Sequence, residues 1–444
     1  MSFPAYSQYK SSGIDWLGEV PTHWRAIKMK FLFQRQQRTV RDEDEIVTAF
    51  RDGEVTLRNK RRTEGFTNSV KEIGYQGVRK GDLVIHAMDA FAGAVGVSDA
   101  DGKSTPVYSV CTPLMPLEVR YYGLLLRQMA LNGFVNALAK GIRERSTEFR
   151  WNEAASLYAP APPVEEQRAI VQFLDRETAK IDGLIAAQED LIRLLKEKRQ
   201  AVISHAVTKG LDPNAPMKPS GIEWLGEIPA HWERTKVKFC VTRVVDCLHT
   251  TPTYEGELIY PAVRTADISR GKLDLSNVRL VSQEIYDERI ARLKPEADDV
   301  LYSREGERFG LAALVPAGVE LCLGQRMMMF RCRSGINPEY FMWSLNSDAV
   351  FNQVLEKVAG ATSPHINISD IKNFDVPEPP TDEQKRIADF IVRHVEQLDT
   401  LNSEAEEAIR ILKERRAALI SAAVTGKIDV RGEVELPEDE AIPA

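Results

Sequence analysis

The chain has 444 residues, of which 43% are hydrophobic and 28% are charged, as is typical of a globular protein with about three domains. It has no apolar run of the roughly 20 residues that cross a membrane and no signal peptide, so we expect a cytoplasmic protein without membrane contact. The five cysteines form no CxxC pair and the seven histidines lack the spacing of metal ligands. We therefore expect scattered thiols and no metal site.

The net charge of −7 is unevenly distributed along the chain. Residues 22–150 contain 21 Lys and Arg against 15 Asp and Glu, whereas residues 376–444 contain 9 against 16. Residues 232–375 contain 18 against 20, so binding of an anionic partner there must rest on local clusters. The distribution of charge matters more than its sum when a nucleic-acid partner is considered.

A repeated motif opens each half of the chain. Residues 12–32 read SGIDWLGEVPTHWRAIKMKFL, and residues 220–240 read SGIEWLGEIPAHWERTKVKFC. The matching positions lie 208 residues apart throughout and include Trp24, which recurs as Trp232. The chain is therefore a tandem duplication.

The first segment between the repeats, residues 33–160, has the pattern of a mixed α/β domain. We expect strands at Glu45–Phe50, Leu83–Ala87 and Ala94–Ser98 and a helix at Arg120–Ala139. Its basic residues cluster in loops, where they could neutralise phosphates or contact guanine, although a solvated charged face is the alternative. The candidate DNA-binding residues here are Arg58, Lys60, Arg61, Arg62, Lys71, His86, Arg143 and Arg145.

Two long helices are predicted, one after each variable segment. Residues 162–212 begin PPVEEQ and residues 379–429 begin PPTDEQ, with an offset of 217. Each predicted helix has about 42 residues, or roughly 60 Å, and an apolar seam of coiled-coil spacing. We expect an antiparallel coiled coil with pseudo-twofold symmetry; the alternative is that each helix packs only on its own domain. The predicted seam consists of Ile170, Leu174, Ile181, Leu184, Leu191, Leu195, Ile387, Ile391, Leu398, Leu401, Leu412 and Leu419.

The second variable segment, residues 241–378, has almost no sequence similarity to the first. We expect strands near Val300–Ser303, Leu311–Val315 and Met327–Arg331 and one helix near Pro338–Val358. Similar ends with dissimilar middles indicate a shared frame that carries two different specificities. The candidate DNA-binding residues here lie in polar loops, which are also common as plain turns; they are His249, Thr250, Thr251, Tyr254, Ser303, Arg304, Arg308, Gln325, Arg326, Ser363 and His365.

No catalytic constellation is recognisable in the sequence. The Pro-Pro pairs are followed by Val164 and Thr381, which does not fit the catalytic loop of an adenine methyltransferase. In Gly102-Lys103-Ser104 the glycine that a P-loop requires is one residue out of place, at Gly96. We therefore expect no catalytic residue and no cofactor in this chain.

Taken together, these features resemble the specificity subunit of type I restriction–modification systems over nearly the whole chain. The features are the doubled GIxWLGExPxHW, the run from Gly81 through Asp89 to Ser98, Asp299 to Gly310, Gly324-Gln325-Arg326-Met327, and the doubled PPxxEQ start of a long helix. As a set they are highly specific, whereas any one of them alone is weak.

The resemblance implies an α+β fold in which two target recognition domains are separated by two long helices in an antiparallel coiled coil. It implies binding of a bipartite, asymmetric double-stranded DNA site, one half per domain. It also implies two modification subunits and restriction subunits as partners, with S-adenosylmethionine, ATP and Mg in those partners. The corresponding segments are 1–160 and 213–378 for the recognition domains, 161–212 and 379–429 for the helices, and 430–444 for an acidic, disordered tail.

Two other functions remain open at this point. The first is a non-catalytic coiled-coil scaffold that binds only proteins, which the lack of net positive charge favours. The second is a DNA-reading subunit of a system that does not cleave DNA, because nuclease and motor would reside in other chains. Salt-dependent DNA affinity distinguishes a DNA reader from a scaffold.

Overall fold

The structure is a computed structural model that describes residues 3–61, 72–135, 149–306, 308–358 and 365–434. The chain forms two compact units, Met1–Gln188 with Glu407–Ala444 and Glu189–Glu406. The boundary between the units falls inside both long helices, so the units group the chain differently from five consecutive segments. The helices are α1 Met29–Leu32, α2 Val119–Leu131, α3 Trp151–Ser156, α4 Val164–Lys209, α5 Val237–Cys240, α6 Gln283–Ile290, α7 Pro338–Leu345, α8 Asp348–Val358, α9 Ile368–Lys372 and α10 Thr381–Val424.

The two long helices, α4 and α10, pack together in antiparallel orientation. In unit 1, Arg416 Nε donates to Asp182 at 2.9 Å, and the end of α10 joins the same core as the start of α4. In unit 2, Arg199 Nε donates to Asp399 at 2.9 Å, and the start of α10 joins the same core as the end of α4. Arg416 and Asp399 lie 217 residues after Arg199 and Asp182, so the two ion pairs are copies of each other.

The predicted apolar seam is buried at most of its positions and exposed at three positions in the middle parts of the helices. Seven predicted seam residues are buried: Ile170, Leu174, Ile181, Leu195, Ile387, Ile391 and Leu398. Leu412 and Leu419 are half-buried. The prediction was wrong for Leu184, Leu191 and Leu401, which are 53%, 40% and 47% exposed. Two helices bury only the strip directly between them, and in these middle parts the core of neither unit adds a further covering layer.

Unit 1 is built around a four-stranded antiparallel sheet of order β4-β11-β8-β9. One face of this sheet packs on α2 and, with the ends of the long helices, forms the main core of the unit. The strands of unit 1 are β1 Tyr9–Ser11, β2 Glu19–Pro21, β3 Arg25–Lys28, β4 Phe33–Gln36, β5 Val47–Ala49, β6 Val55–Leu57, β7 Gln76–Val78, β8 Leu83–His86, β9 Val95–Val97, β10 Gly102–Ser104, β11 Tyr108–Pro113 and β12 Tyr158–Ala161.

Unit 2 contains a four-stranded antiparallel sheet of order β16-β24-β21-β22 and a three-stranded sheet of order β20-β17-β23. Helix α7 packs against the first sheet through β22, in a core that also contains residues of both long helices. The strands of unit 2 are β13 Met217–Pro219, β14 Glu227–Pro229, β15 Glu233–Lys236, β16 Val241–Asp246, β17 Tyr260–Val263, β18 Ile268–Ser269, β19 Lys272–Leu273, β20 Leu280–Val281, β21 Val300–Ser303, β22 Ala312–Leu314, β23 Cys322–Leu323, β24 Met327–Cys332 and β25 Asp375–Glu378.

The two variable segments share one sheet despite their dissimilar sequences. In unit 1 the last residue of β8, His86, pairs with Tyr108, the first residue of β11. In unit 2 the last residue of β21, Ser303, pairs with Met327, the first residue of β24. The order and direction of the four strands are the same, so each position on one sheet has a counterpart on the other.

The secondary structure confirms most predicted strands and corrects two predicted helices. The strand at Val300–Ser303 has the predicted bounds, four others agree within one residue at each end, and β5 is shorter than predicted. The single helix predicted at Pro338–Val358 is two helices, α7 and α8. Asn346 ends α7 because its side-chain amide bonds both the N–H and the C=O of Ala312 at 3.0 and 2.9 Å. The helix predicted at Arg120–Ala139 is also shorter, because α2 ends at Leu131 before a turn at Asn132 and Gly133; Ala139 lies outside the described residues.

The repeated motif anchors each unit to the first turn of a long helix. In unit 1, Glu166 of α4 is buried, with its carboxylate 2.7 Å from His23 Nε2 and 3.0 Å from Trp24 Nε1. The hydroxyl of Tyr6 also donates to Glu166, and burial, followed by this carboxylate, raises the pKa of Tyr6 well above its usual range. In unit 2, His231 Nε2 lies 2.8 Å from Glu383 at the start of α10.

Each unit also binds the end of the other long helix. The buried hydroxyl of Tyr121 donates to the carbonyl of Val424 at 2.8 Å in unit 1, and that of Tyr340 donates to Val207 at 3.3 Å in unit 2. Lys427 and Lys209 donate to the carbonyls of Glu19 and Glu227, which are equivalent residues of the motif; the distances are 2.9 and 2.6 Å. Each variable domain is therefore held at the start of one long helix and the end of the other.

We predict that Glu166→Ala lowers the free energy of unfolding of the full chain by about 3 kcal/mol, because it leaves the buried donors of Trp24 and Tyr6 without an acceptor. Urea unfolding followed by tryptophan fluorescence measures the change. The control is Glu165→Ala, which removes an exposed carboxylate from the same helical turn. Equal losses for the two variants would show that the anchoring contacts contribute nothing.

Candidate nucleic-acid interface

Three strands of the unit 2 sheet reach the same edge and bring several candidate residues together. Strand β16 ends at Asp246, β21 ends at Ser303 and β24 begins at Met327, with direct pairing between them. The chain continues past this edge through Arg304, whose N–H donates to the carbonyl of Arg326 at 3.0 Å. Residues that follow or precede these strands therefore share one edge.

We call six charged or titratable residues at this edge the edge cluster: Asp246, His249, Arg304, Glu305, Arg326 and His365. Nη2 of Arg304 lies 2.9 Å from Glu305 and 3.4 Å from Asp246. Nδ1 of His365 lies 2.9 Å from Glu305, and Nε2 of His249 lies 3.0 Å from Asp246. Four of the six residues were candidates from the sequence, whereas Asp246 and Glu305 were not.

The exposure of the side chains in the edge cluster increases from the buried Arg304, through the two carboxylates, to the exposed Arg326. The side chain of Arg304 is 4% exposed, those of Asp246 and Glu305 are 12% and 22% exposed, and that of Arg326 is 57% exposed. The two carboxylates therefore lie between a buried guanidinium and the groups that face solvent. Arg304 was predicted to bind DNA, but its burial makes it a structural support for the carboxylates.

Ser303 is a second correction, because it is fully buried. Its hydroxyl donates to the carbonyl of Arg308 and accepts from the N–H of Leu311 at 3.0 Å. It fixes the turn after β21 and does not face a partner. Arg308 itself is exposed, and Nη1 donates to the carbonyl of Ala266 at 2.7 Å.

The loop after β16 is held from beneath by a buried arginine. Arg289 donates to the carbonyl of Thr250 at 2.7 Å and to that of Leu323 at 3.1 Å. Thr250 and Thr251 are exposed, as predicted binding residues must be, and the ring of Tyr254 is half-buried under the guanidinium of Arg279 at 4.9 Å. The loop thus presents polar groups on a fixed support.

The corresponding edge of unit 1 has different chemistry. His86 packs edge-on against Tyr108, with ring centroids 4.5 Å apart, and its Nδ1 accepts the N–H of Asp89 at 3.0 Å. Burial lowers the pKa of His86 below its usual value. The residues that correspond to Glu305 and Arg326 are Met88 and Val107, which are both exposed.

The basic residues of the loop after β6 are largely paired with acids of the same unit. Arg61 contacts Asp52 and Glu54, each at 2.7 Å, and stacks on Phe50 at 4.4 Å. Lys60 lies 3.3 Å from Asp99 and is exposed. Arg58 Nε donates to Thr48 at 3.2 Å. The local charge available to phosphates is therefore smaller than the sequence count indicates.

Five candidate residues lie outside the described part of the chain: Arg62, Lys71, Arg143, Arg145 and Ser363. A further candidate, Gln325, is described and is half-buried beside Arg326.

Other kinds of site are not found among the described residues. No group of three or more His, Cys, Asp and Glu in this part of the chain could hold a metal ion. Within the same residues, no helix is both long and apolar enough to span a membrane. The five cysteines are free thiols, and burial raises the pKa of Cys240 and Cys332 to about 12 in each case.

Sequence reasoning missed the counterparts on the two edges because the variable segments do not align by eye. The signal was present in the offsets. Strand β21 follows β8 by 217 residues and β24 follows β11 by 219, close to the offsets of the repeated frame. Aligning the segments from the long helices with the offset of 217 would have placed Glu305 opposite Met88, whereas the pairing of Arg326 with Val107 needs an offset of 219 that the repeated frame does not contain.

A tandem frame with two unlike sheet edges defines a class of protein that presents two recognition surfaces on one scaffold. Comparison with known proteins shows what the chain is similar to. Residues 256–410 match the sequence model described as the type I restriction modification DNA specificity domain. The chain is also similar to specificity subunits of type I restriction enzymes.

Individual relatives are distant in sequence. The chain is 27% identical over 297 residues to the type I restriction enzyme EcoBI specificity subunit of Escherichia coli, covering 63% of this chain and 60% of that one. It is 27% identical over 292 residues to the EcoKI specificity subunit of Escherichia coli (strain K12), covering 63% and 59%. The chain thus spans about three fifths of the length of the curated relatives it matches.

Solved structures show the same fold. A chain described under "Structural basis underlying complex assembly and conformational transition of the type I R-M system" matches with a TM-score of 0.66 at 15% identity, covering 91% of this chain and 98% of that one. The HsdS subunit from Thermoanaerobacter tengcongensis matches with a TM-score of 0.54 at 16% identity, covering 92% and 98%. The predicted α+β fold with paired long helices is confirmed.

We predict that Arg304→Ala lowers the free energy of unfolding by about 3 kcal/mol, because it leaves two partly buried carboxylates without their cation. The matched control is Arg308→Ala, which removes an exposed guanidinium four residues away and should change stability by less than about 0.5 kcal/mol. Urea unfolding of the full chain measures both. A small loss for Arg304→Ala would return that residue to the list of candidate DNA contacts.

Proposed function

We propose that this chain is a non-catalytic DNA specificity subunit that binds a bipartite, asymmetric double-stranded site, one half-site per recognition domain. The observation that carries the proposal is the duplicated frame holding two corresponding sheet edges of different chemistry. The repeated frame makes the same contacts in both units, so it holds the two sheets in equivalent positions. The residues at corresponding positions on the two edges differ, so each edge can read a different DNA sequence. The domain match at residues 256–410 is consistent with this function.

The candidate DNA contacts in this proposal are the exposed polar and basic groups of the two edges and their loops. In unit 2 these are His249, Thr250, Thr251, Arg326 and His365, with Tyr254, Gln325 and Arg308 beside them. In unit 1 they are the exposed Lys60 and Arg61, with the partly buried Arg58 and His86 beside them. Arg62, outside the described residues, remains a candidate from the sequence alone. Four further candidates outside the described residues remain predictions from the sequence: Lys71, Arg143, Arg145 and Ser363.

We further propose that the long helices set the spacer between the half-sites. Major-groove faces on one side of B-DNA recur about every 34 Å, and a helix of 46 residues is roughly 69 Å long. A paired rod of this length can hold two domains at a fixed separation. The recognised site would then contain a non-specific spacer whose length depends on the length of the helices.

The partners that we propose are two modification subunits, which would methylate adenine, and restriction subunits. Exposed apolar residues along the long helices support docking of other chains there. In unit 2 these are Leu191, Leu194 and Leu401, and in unit 1 they are Leu184 and Ile411. S-adenosylmethionine, ATP and Mg would be bound by the partners, and the complex would act on DNA in the cytoplasm.

We predict that exchanging residues 33–160 for the corresponding segment of another specificity subunit changes one half of the methylated motif and leaves the other half and the spacer unchanged. The reason is that the frame contacts of His23, Trp24 and Glu166 lie outside the exchanged segment. Single-molecule sequencing of genomic DNA detects methylated adenines in cells that express the chain with its modification subunits.

The control for this exchange is the unaltered chain expressed with and without the same modification subunits. A change in both halves of the motif would contradict one reading domain per half-site. If the unaltered complex methylates no defined motif and shows no salt-dependent affinity for DNA, the chain is a protein scaffold and the proposal as a whole is wrong.

We predict that inserting one heptad into both long helices lengthens the spacer and leaves both half-sites unchanged. The insertions are placed between Asp182 and Arg199 in α4 and between Asp399 and Arg416 in α10, so that both interhelical ion pairs keep their register. Seven residues add about 10 Å, the rise of roughly three base pairs. The methylated motif of the variant reports the spacer.

Inserting the heptad into α4 alone is the control, because it puts Arg199 and Asp399 out of register by two turns. We expect this variant to give little or no sequence-specific methylation. A matched double insertion that methylates the original spacer would reject the helices as the element that sets the distance.

A further inference from the structure

Arg326 has an unusual backbone for an arginine. Its φ is +65°, in the left-handed region that residues other than Gly, Asn and Asp rarely adopt. In the absence of other contacts, an arginine adopts this conformation roughly tenfold to hundredfold less often than an ordinary backbone conformation. It persists only where the surrounding structure enforces it. Residues held in this way often have a functional role.

The turn that contains Arg326 is fixed on both sides. The N–H of Gly324 donates to the carbonyl of Val263 at 2.7 Å, and a Cβ at position 324 would lie 2.6 Å from the same oxygen. On the other side, the carbonyl of Arg326 accepts the N–H of Arg304 at 3.0 Å. Only glycine permits this close approach at position 324. The backbone contact of Gly324 therefore fixes the position from which the side chain of Arg326 extends.

The guanidinium of Arg326 extends from this turn to the outer layer of the edge cluster. Its Nε lies 3.9 Å from Glu305, whose carboxylate also has Arg304 and His365 at 2.9 Å each. Glu305 therefore attracts Arg326 without occupying its hydrogen-bond donors at short range. A Cβ at Gly306 would lie 3.4 Å from Nη1 of Arg326, an ordinary van der Waals distance, so the guanidinium lies beside the turn that follows Glu305.

Resting on the proposed function, we propose that Arg326 determines specificity by reading a guanine in the half-site of the second recognition domain, and that Glu305 is its positioning residue. A guanidinium can donate two parallel hydrogen bonds to N7 and O6 of guanine in the major groove. A carboxylate beside Nε restricts the side chain before binding and leaves the other donors for the base. Lysine at this position would supply the charge but not the paired donors.

The first recognition domain has no equivalent group. The counterpart of Arg326 is Val107, and the counterpart of Glu305 is Met88; both are apolar and exposed. The effect of changing Arg326 should therefore be limited to one half of the recognised site. This restriction separates base reading from a general loss of phosphate attraction, which would weaken both halves together.

The test compares Arg326→Gly and Arg326→Lys in the full chain, expressed with its modification subunits, by the methylated motif. Glycine adopts φ of +65° without strain, so Arg326→Gly should fold with an equal or higher melting temperature. We expect both variants to lose preference for one G·C pair by roughly tenfold to hundredfold, with the other half-site unchanged. Arg234→Ala, which removes a cation from β15 away from the edge, is the control and should leave the motif unaltered.

A double-mutant cycle tests the positioning role. Glu305→Gln should reduce the guanine preference when Arg326 is present and should have no further effect on it in the Arg326→Gly background. The inference is overturned if Arg326→Gly leaves the motif intact, or if the second half-site of the unaltered complex contains no G·C pair. If the unaltered complex methylates no bipartite motif, the proposed function itself has failed, which is a different outcome.

Discussion

The structure depends on a carboxylate at the first turn of each long helix, which is buried in Glu166 and partly buried in Glu383. Glu166 accepts hydrogen bonds from Tyr6 and Trp24 and contacts His23, so the repeated motif and the helix cannot separate without leaving buried polar groups unpaired. His231 and Glu383 repeat the contact in the other unit. Because tyrosine and lysine contacts bind the end of the opposite helix in each unit, the duplicated frame specifies an antiparallel pair.

The same arrangement separates the contacts that stabilise the frame from the edges that we propose read DNA. The frame contacts involve the motif, the helix ends and the strands beside them, whereas the differing residues lie at the far edge of each sheet. Strand order and register are maintained by buried residues such as Val84 and Leu301. An edge can therefore exchange Val for Arg, as at Val107 and Arg326, without altering the sheet that supports it.

Much of the fold was predictable from the sequence, because duplicated motifs and helical periodicity are local signals. The equivalence of the sheets was harder to predict, because it depends on pairing between strands far apart in sequence and leaves few shared residues, such as Asp82 with Asp299 and Gly93 with Gly310. Burial of Arg304 and Ser303 was missed for a related reason: a polar residue at a strand end can face solvent or support a turn. The exposed Leu184, Leu191 and Leu401 show that heptad spacing predicts which face meets the partner helix but not how much of it is covered.

Under the proposed function, the balanced charge of the edge cluster would explain how a chain with a net charge of −7 reads DNA. Arg304 and Arg326 are accompanied by Asp246 and Glu305, so approach of a phosphate meets repulsion as well as attraction. Such an edge would gain little from counterion release and would bind non-specific DNA weakly. A guanine offers two hydrogen-bond acceptors that the guanidinium of Arg326 could reach while Glu305 stays beside it. The correct base would therefore supply the favourable interaction that contact with phosphates alone does not provide. The preference for the correct DNA sequence would then arise as much from weak binding of other sequences as from the contact with guanine.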